Sequence, residues 1–150
     1  MPVPRRTSVR RAVRLMSLID FYPQARFAHI LLVTLSGSLF TLRGLATIAG
    51  AHWPGLTPVR RASYLIDTAL LAAALLLLAM LRLNPFVEPW LAAKLALLPA
   101  YVVLGVMALR RARSPRSRIA WFVAALACFG MMVSIARAHH PLGFAHALLG

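Results

Sequence analysis

The sharpest chemical feature of this 150-residue sequence is a pair of opposite charges, Arg43 and Asp67, set inside two successive apolar stretches. If these stretches are neighbouring membrane helices, both charges lie ~6–9 Å below the same surface and can meet. Pairing offsets much of the ~2.5–3.5 kcal/mol that a lone charge costs within a span. Two interpretations are open: an ion pair that fixes helix register, or a proton or ligand site. Thr68 is expected to join the hydrogen-bond network, together with Tyr64 and Thr47.

A second group of polar side chains is expected near the opposite membrane surface: His29, Lys94, His139 and His140. Histidines on different membrane helices can hold haem or a transition metal. One histidine in the first apolar run and two adjacent ones after the fourth do not make a paired-ligand array, so no metal site is expected. The sequence favours interfacial histidines and a Lys94 side chain that reaches the headgroups. A small-molecule or lipid-headgroup site and a haem site are the alternatives.

Signatures of catalysis are missing from the sequence. It contains no GxSxG, P-loop, HExxH, CxxC or Rossmann glycine pattern. Its only carboxylates are Asp20, Asp67 and Glu88, which leaves little for general acid–base chemistry on a polar substrate. The lone Cys128 has no partner for a disulfide within the chain. We therefore expect no catalytic residues, no enzyme activity and no resident cofactor.

The elements that must position these residues are four apolar runs, at about residues 27–49, 63–83, 90–109 and 119–138. Each holds about 20 residues, the length at which an α-helix crosses a hydrocarbon core of ~30 Å. Hydrophobic residues make up 61% of the chain, and its mean hydropathy is +0.76. A membrane barrel would show shorter, alternating segments. The joints are short and carry turn residues, so the sequence predicts an all-α, polytopic membrane protein, an up-down bundle of four transmembrane helices.

Small residues line parts of the first and third runs. The first run contains Ser36, Gly37, Ser38, Gly44 and Gly50, and the third contains Ala92, Ala93, Ala96, Ala100, Gly105 and Ala108. Small side chains let helix backbones approach closely in lipid, where no aqueous hydrophobic effect drives packing. We interpret these stripes as packing faces inside the bundle.

The strong positive charge belongs to the joints between the runs. Seventeen arginines and lysines against three acids give a formal net charge of +14. A soluble protein of this charge would be a candidate nucleic-acid binder, but basic residues that flank apolar runs are typical of membrane spans. The expected partners are membrane lipids, with other inner-membrane proteins or a second copy of the chain as further candidates. Direct nucleic-acid binding is not expected.

Charge counting across the joints predicts the orientation. The first joint, between the first and second runs, and the third joint, between the third and fourth runs, together carry seven arginines. The opposite side of the membrane, which holds both termini and the second joint, carries three, or eight if residues 1–15 are included. A start at Met16 therefore places the first and third joints in the cytoplasm and both termini on the outer side of the membrane. We divide the chain into a basic extension (1–26), a four-helix domain (27–143) and a tail (144–150). Residues 1–15 either precede the true start or form a basic interfacial helix.

Several short motifs follow one another in a recognisable order along the chain. An Arg-Gly, an Asp-Thr and an Ala-Lys element occur at Arg43-Gly44, Asp67-Thr68 and Ala93-Lys94. The surrounding motifs are Tyr22-Pro23-Gln24, His29-Ile30-Leu31-Leu32, Leu65-Ile66-Asp67-Thr68, Trp90-Leu91-Ala92-Ala93-Lys94, Tyr101-Val102-Val103-Leu104-Gly105, Ala108-Leu109-Arg110-Arg111 and His140-Pro141-Leu142-Gly143. Over roughly residues 16–143 the chain resembles the SirB family, small bacterial inner-membrane proteins described as up-regulators of invasion gene expression.

The sequence departs from the family pattern at two places. The family often has a histidine three residues before the second-helix aspartate, where this chain has Tyr64. It often has another histidine close before the first-helix one, where this chain has Arg26-Phe27-Ala28. Both departures argue against a bis-histidine haem site. The resemblance implies an effect on gene expression, which is expected to be indirect because the sequence contains no soluble DNA-binding module. The leading hypothesis is a structural or accessory membrane protein of unknown molecular activity. Small-molecule, proton or lipid handling and haem-linked electron transfer are the alternatives.

Overall fold

A computed structural model of the chain describes residues 9–10, 16 and 20–143. Four α-helices follow in order: α1 at Tyr22–Ile48, α2 at Thr57–Leu81, α3 at Pro89–Val106 and α4 at Pro115–Ala138. A short 3-10 helix, Trp53–Gly55, lies between α1 and α2, and a π-helical segment, Met107–Arg111, extends α3. All four helices are long and apolar enough to cross a membrane, and the described ranges contain no strand. The predicted all-α membrane fold is confirmed.

Much of the predicted N-terminal extension lies outside the described residues, namely 1–8, 11–15 and 17–19. The whole predicted tail, 144–150, lies outside them as well. The proposed start at Met16 therefore stays a prediction.

Three helices begin before the apolar runs that predicted them. α1 starts at Tyr22 rather than 27, α2 at Thr57 rather than 63, and α4 at Pro115 rather than 119. Each has a proline in its first turn, where the missing N–H costs no helix hydrogen bond. Ser114 caps α4 by accepting a 3.1 Å hydrogen bond from the backbone N–H of Ser117. Hydropathy marks the part of a helix that faces hydrocarbon, whereas the helix itself extends into the polar headgroup layer.

The third helix changes its hydrogen-bond pattern at its C-terminal end. It continues through Pro99, which removes one backbone hydrogen bond. From Met107 to Arg111 it becomes a π-helix, closed by a 2.9 Å bond from the Ala112 N–H to the Met107 carbonyl. A π-turn adds a residue to the turn and so moves the side chains around it, Arg110 among them, to a different face of the helix.

The helices pack as two antiparallel pairs, α1 with α2 and α3 with α4, and α1 lies against α4 between them. Ser36, Gly37 and Gly44 are the buried residues of α1. A Cβ at Gly37 would lie 2.7 Å from Cζ of Phe129, and one at Gly44 would overlap the Phe122 ring. These glycines therefore allow two aromatic rings of α4 to touch the α1 backbone. The small-residue packing face predicted for the first run is confirmed at these three positions. The prediction is wrong at Ser38 and Gly50 of that run and at Ala92, Ala96 and Ala100 of the third run, which are exposed.

Aromatic side chains fill the centre of the bundle. The ring centroid of Phe40 lies 5.5 Å from that of Tyr101 and 5.6 Å from that of Phe122. Tyr101 lies 5.8 Å from Phe129. A Cβ at Gly105 would come within 3.3 Å of the Phe40 ring. The cluster thus joins α1, α3 and α4 through close ring contacts, which contribute beyond their buried area.

The outer faces of the helices are apolar and exposed. Leu65 is 71% exposed, Phe27 69% and Val103 60%. A surface of this kind aggregates in water but matches the hydrocarbon of a bilayer. α2 lies at the edge of the bundle, where it packs mainly on α1 and where Ser63 is its buried residue.

Replacing Gly44 with alanine is expected to destabilise the bundle. The added Cβ overlaps the ring of Phe122, which is 5% exposed and held against Phe40. Overpacking of this kind costs about 1–3 kcal/mol. Thermal unfolding in detergent measures the effect, with Gly130→Ala as the matched control, because a Cβ there meets no neighbour within 4 Å. Equal unfolding temperatures for the two variants would contradict the packing described here.

Candidate functional site

A buried hydroxyl and a carboxylate join α1 to α2. The Oγ of Ser36 donates a 2.6 Å hydrogen bond to Oδ1 of Asp67. Ser36 is 7% exposed, whereas the rest of the Asp67 side chain is exposed. Hydrogen bonds between membrane helices contribute about 0.6 kcal/mol on average and up to ~1.7 kcal/mol. The contact fixes the register of α1 against α2.

Asp67 lies well inside α2. α2 begins at Thr57, so Asp67 is ten residues, or ~15 Å, along the helix. The sequence-based estimate began the span at residue 63 and placed Asp67 about four residues, ~6 Å, inside it. The two figures differ because α2 begins with polar turns before the apolar run starts, and the depth of Asp67 below the membrane surface stays a prediction. Ser36, fourteen residues into α1, lies at its middle.

Arg43 links α1 to the start of α2 and to the 3-10 turn. Its Nη1 donates to the Oγ of Ser63 at 2.8 Å, and its Nη2 donates to the carbonyl of Pro54 at 3.1 Å. The Ser63 hydroxyl donates in turn to the carbonyl of Val59 at 3.1 Å. Ser63 and Pro54 are both buried. Each acceptor lowers the cost of holding a guanidinium inside a span, and together they fasten three successive elements to one another.

Arg43 and Asp67, the predicted ion pair, lie on adjacent helices, but each has a neutral partner of its own. The two charges are within electrostatic range, and their direct pairing stays a prediction. Thr68, expected in the same network, donates to the carbonyl of Tyr64 in its own helix at 2.7 Å. Thr47 likewise donates to the carbonyl of Arg43 at 2.7 Å. The hydroxyls that join the helices therefore come from serines instead.

His29 and Lys94 approach each other from α1 and α3 near the other end of the bundle. The two side chains are within electrostatic range, and His29 also lies near the backbone of Leu70 in α2. The Nδ1 atom of His29 is buried, and no described residue forms a hydrogen bond with it. The structure thus brings together two of the four residues predicted to form the outer cluster.

His139 and His140 close α4 beside the start of α3. The His139 ring packs edge-on against Trp90 with centroids 5.1 Å apart, and the Trp90 Nε1–H donates to Glu88 at 2.9 Å. The Nδ1 of His140 accepts a 3.2 Å bond from the backbone N–H of Leu142. Both histidines therefore stabilise local contacts. In the described part of the chain, no three or more His, Cys, Asp or Glu side chains are grouped closely enough to hold a metal ion.

Two serines of the site were missed as polar partners by sequence reasoning. Ser36 was interpreted as a small packing residue, and Ser63 was not singled out. A spacing signal was present for both. Ser36 lies seven residues before Arg43, and Ser63 lies four residues before Asp67, so each shares a helix face with a charge. A serine on the same face as an intramembrane charge is a natural partner for the charge on the facing helix.

Replacing Ser63 with alanine is expected to lower stability by about 1–3 kcal/mol, because Arg43 Nη1 loses its acceptor in a buried position. Unfolding in detergent measures the loss. Thr68→Ala is the matched control in the same helix, since the Thr68 hydroxyl bonds within its own helix and is exposed. If the two substitutions had equal effects, the Arg43–Ser63 contact would contribute nothing specific.

Known proteins resemble this chain over most of its length. Residues 22–141 match the family described as "Invasion gene expression up-regulator, SirB". Protein SirB2 of Salmonella typhimurium is 36% identical over 124 residues, which cover 76% of this chain and 92% of that protein. Protein YchQ of Escherichia coli is 32% identical over 123 residues, which cover 76% and 91% of the two chains. No solved structure matches the chain.

The matched range runs from the first residue of α1 to beyond the end of α4. It contains the Ser36–Asp67 contact and the bonds that Arg43 makes to Ser63 and Pro54. On this evidence, the chain belongs to the SirB family of membrane proteins.

Proposed function

We propose that this protein is a non-enzymatic accessory protein of the bacterial inner membrane. Its intramembrane charges are structural in this proposal, and its effect on gene expression is indirect. The observation that supports it is the set of partners that these charges have: Asp67 accepts from Ser36, and Arg43 donates to Ser63 and Pro54. Bonds of this kind fix helix register. The regulatory part comes from the description of the family.

The layout of the described chain supports an indirect effect. Between residues 22 and 138, the segments outside the helices are 49–56, 82–88 and 112–114. None is long enough to form a soluble module that could enter a groove of DNA. In this proposal, the protein acts through the membrane around it, through another inner-membrane protein or through a second copy of itself.

The orientation in this proposal follows the positive-inside rule. The arginines of the first and third joints lie at one end of the bundle, which is assigned to the cytoplasm, and both termini are periplasmic. A reporter enzyme that works only in the periplasm should be active when fused after residue 143 and silent when inserted in the 112–114 joint. A periplasmic signal from that joint would reverse the orientation.

A proton- or small-molecule-handling role is the second candidate. Two observations favour it: the exposed part of Asp67, which lies within electrostatic range of Tyr101, and the unpartnered buried Nδ1 of His29 beside Lys94. Polar groups of this kind within a span often mark pathways for ions or substrates. Haem-linked electron transfer has weaker support, because His29 faces α2 while His139 packs on Trp90.

Substitution of Asp67 separates the structural role from the second candidate. Asp67→Asn keeps an oxygen that can accept from Ser36 and removes the charge, whereas Asp67→Leu removes both. If the role is structural, Asp67→Asn keeps most of the folded yield and most of the cellular effect. Asp67→Leu then lowers the folded yield, and its cellular effect falls by the same factor. Folded yield is measured by size-exclusion chromatography in detergent.

The cellular effect is read as invasion-gene reporter activity in a Salmonella typhimurium strain that lacks its SirB2 protein and expresses the chain at matched levels. Ser36→Ala serves as the control, since it breaks the same contact and leaves the carboxylate in place. An Asp67→Asn protein with full yield and no cellular effect would refute the structural proposal. An absorption spectrum of the same preparations tests the haem alternative through the Soret band.

A further inference from the structure

Four arginines, one from each helical segment, gather at the end of the bundle that carries the first and third joints. They are Arg43 in α1, Arg60 in α2, Arg110 in the π-segment after α3 and Arg118 in α4. Arg43 is within electrostatic range of both Arg60 and Arg110. We call these four residues the arginine cluster.

Arg118 joins the cluster through the C-terminal turn of α1. Its Nη1 donates to the carbonyl of Thr47, and its Nη2 donates to the carbonyl of Ala112, both at 3.5 Å. The Thr47 hydroxyl is bonded to the carbonyl of Arg43, one turn earlier in α1. Arg118 therefore lies along the same end of α1 as Arg43, on the side that faces α4.

Three members of the cluster have a buried donor that the protein leaves unused. The Nε atoms of Arg43, Arg60 and Arg118 are buried, and none of the residues that the structure describes accepts a hydrogen bond from them. A guanidinium nitrogen removed from water requires an acceptor. Three such donors at one end of the bundle show that guanidinium groups here outnumber the acceptors that the described residues provide.

The protein supplies no carboxylate to neutralise the cluster. Asp67 is engaged by Ser36, and the other two acids of the chain, Asp20 and Glu88, precede α1 and α3 at the opposite end of the bundle. Four guanidinium groups thus face at most one negative charge, which is already bonded. An anion with several oxygens fits this excess of positive charge, since arginine forks match phosphate geometry.

The position of the cluster favours a phosphate carried by a lipid. Apolar side chains at the same end remain open to the surroundings: Leu45 is 54% exposed, Leu56 52% and Ile48 36%. A lipid whose headgroup phosphate binds the cluster would have its acyl chains along these apolar side chains. Free phosphate has no apolar part that could contact them. Basic pockets between helices at the cytoplasmic side of membrane proteins bind anionic headgroups in this way.

We propose that the arginine cluster, Arg43, Arg60, Arg110 and Arg118, is a specific binding site for the phosphate of an anionic phospholipid. The π-segment carries Arg110, which lies within electrostatic range of Arg43 in α1, in keeping with the frequent occurrence of π-turns at functional sites. The site follows from the fold and the charges, and it does not depend on the proposed accessory role.

The test compares lipid binding by the full-length protein and its variants in neutral detergent, with native mass spectrometry as the readout. Cardiolipin is titrated first, and phosphatidylcholine and inorganic phosphate are titrated separately. The variant is Arg60→Gln/Arg110→Gln, because no described side-chain contact of the bundle uses these two guanidinium groups. Its affinity for cardiolipin should fall about thirtyfold, since each arginine near the surface contributes about 1 kcal/mol.

Arg113→Gln/Arg116→Gln is the matched control, because it removes the same charge from exposed arginines at the same end of the bundle. Its cardiolipin affinity should stay within a few-fold of the wild type. An equal loss in both variants would show diffuse attraction to basic joints and overturn the proposed site. Competition by inorganic phosphate as strong as that of cardiolipin would overturn the lipid assignment.

Unfolding temperatures measured without lipid show whether the variants are folded. If Arg60→Gln/Arg110→Gln fails to fold, Arg60→Lys/Arg110→Lys replaces it. The lysines keep the positive charges but lack the paired N–H donors of the planar guanidinium group. That variant should bind cardiolipin more weakly than the wild type. Unchanged binding by a folded lysine variant would overturn the guanidinium–phosphate geometry.

Discussion

The bundle depends on one constraint: in lipid, helices gain nothing from hiding apolar surface from one another. Association must come from close contact and from polar bonds. Gly37 and Gly44 provide the close contact, because they let aromatic rings of α4 reach the α1 backbone. Because α1 lies against both α2 and α4, it is the element on which the other three are arranged.

One side of α1 is held by close packing and the other by hydrogen bonds. Toward α4 it presents small residues that receive Phe122 and Phe129, a contact based on shape. Toward α2 it presents Ser36 and Arg43, a contact based on hydrogen bonds. Shape fixes distance but tolerates some sliding, whereas a 2.6 Å bond between named atoms fixes the axial position. The edge helix, which has few packing partners, is thus the one held by directional bonds.

Hydropathy predicted the four helices because, in lipid, only helices and closed barrels satisfy every backbone hydrogen bond. The sequence also indicated roughly where a residue lies along its helix. His29 and Lys94, which were expected at similar depth, lie within electrostatic range of each other. The sequence did not predict how each helix is rotated about its own axis, and this rotation decides which side chains are in contact. Arg43 therefore meets Ser63 rather than Asp67 in hydrogen-bonding contact, and the π-turn at Met107–Arg111 leaves no trace in an apolar periodicity.

The division into two helix pairs bears on how the chain enters the membrane. The contacts of α2 are mainly with α1, the helix made just before it, and α3 and α4 likewise contact each other. Each hairpin is largely complete in its own contacts, so the first can settle in the bilayer while the ribosome is still making the second. Assembly then reduces to one docking event between two preformed halves, along the seam where glycines receive phenylalanine rings.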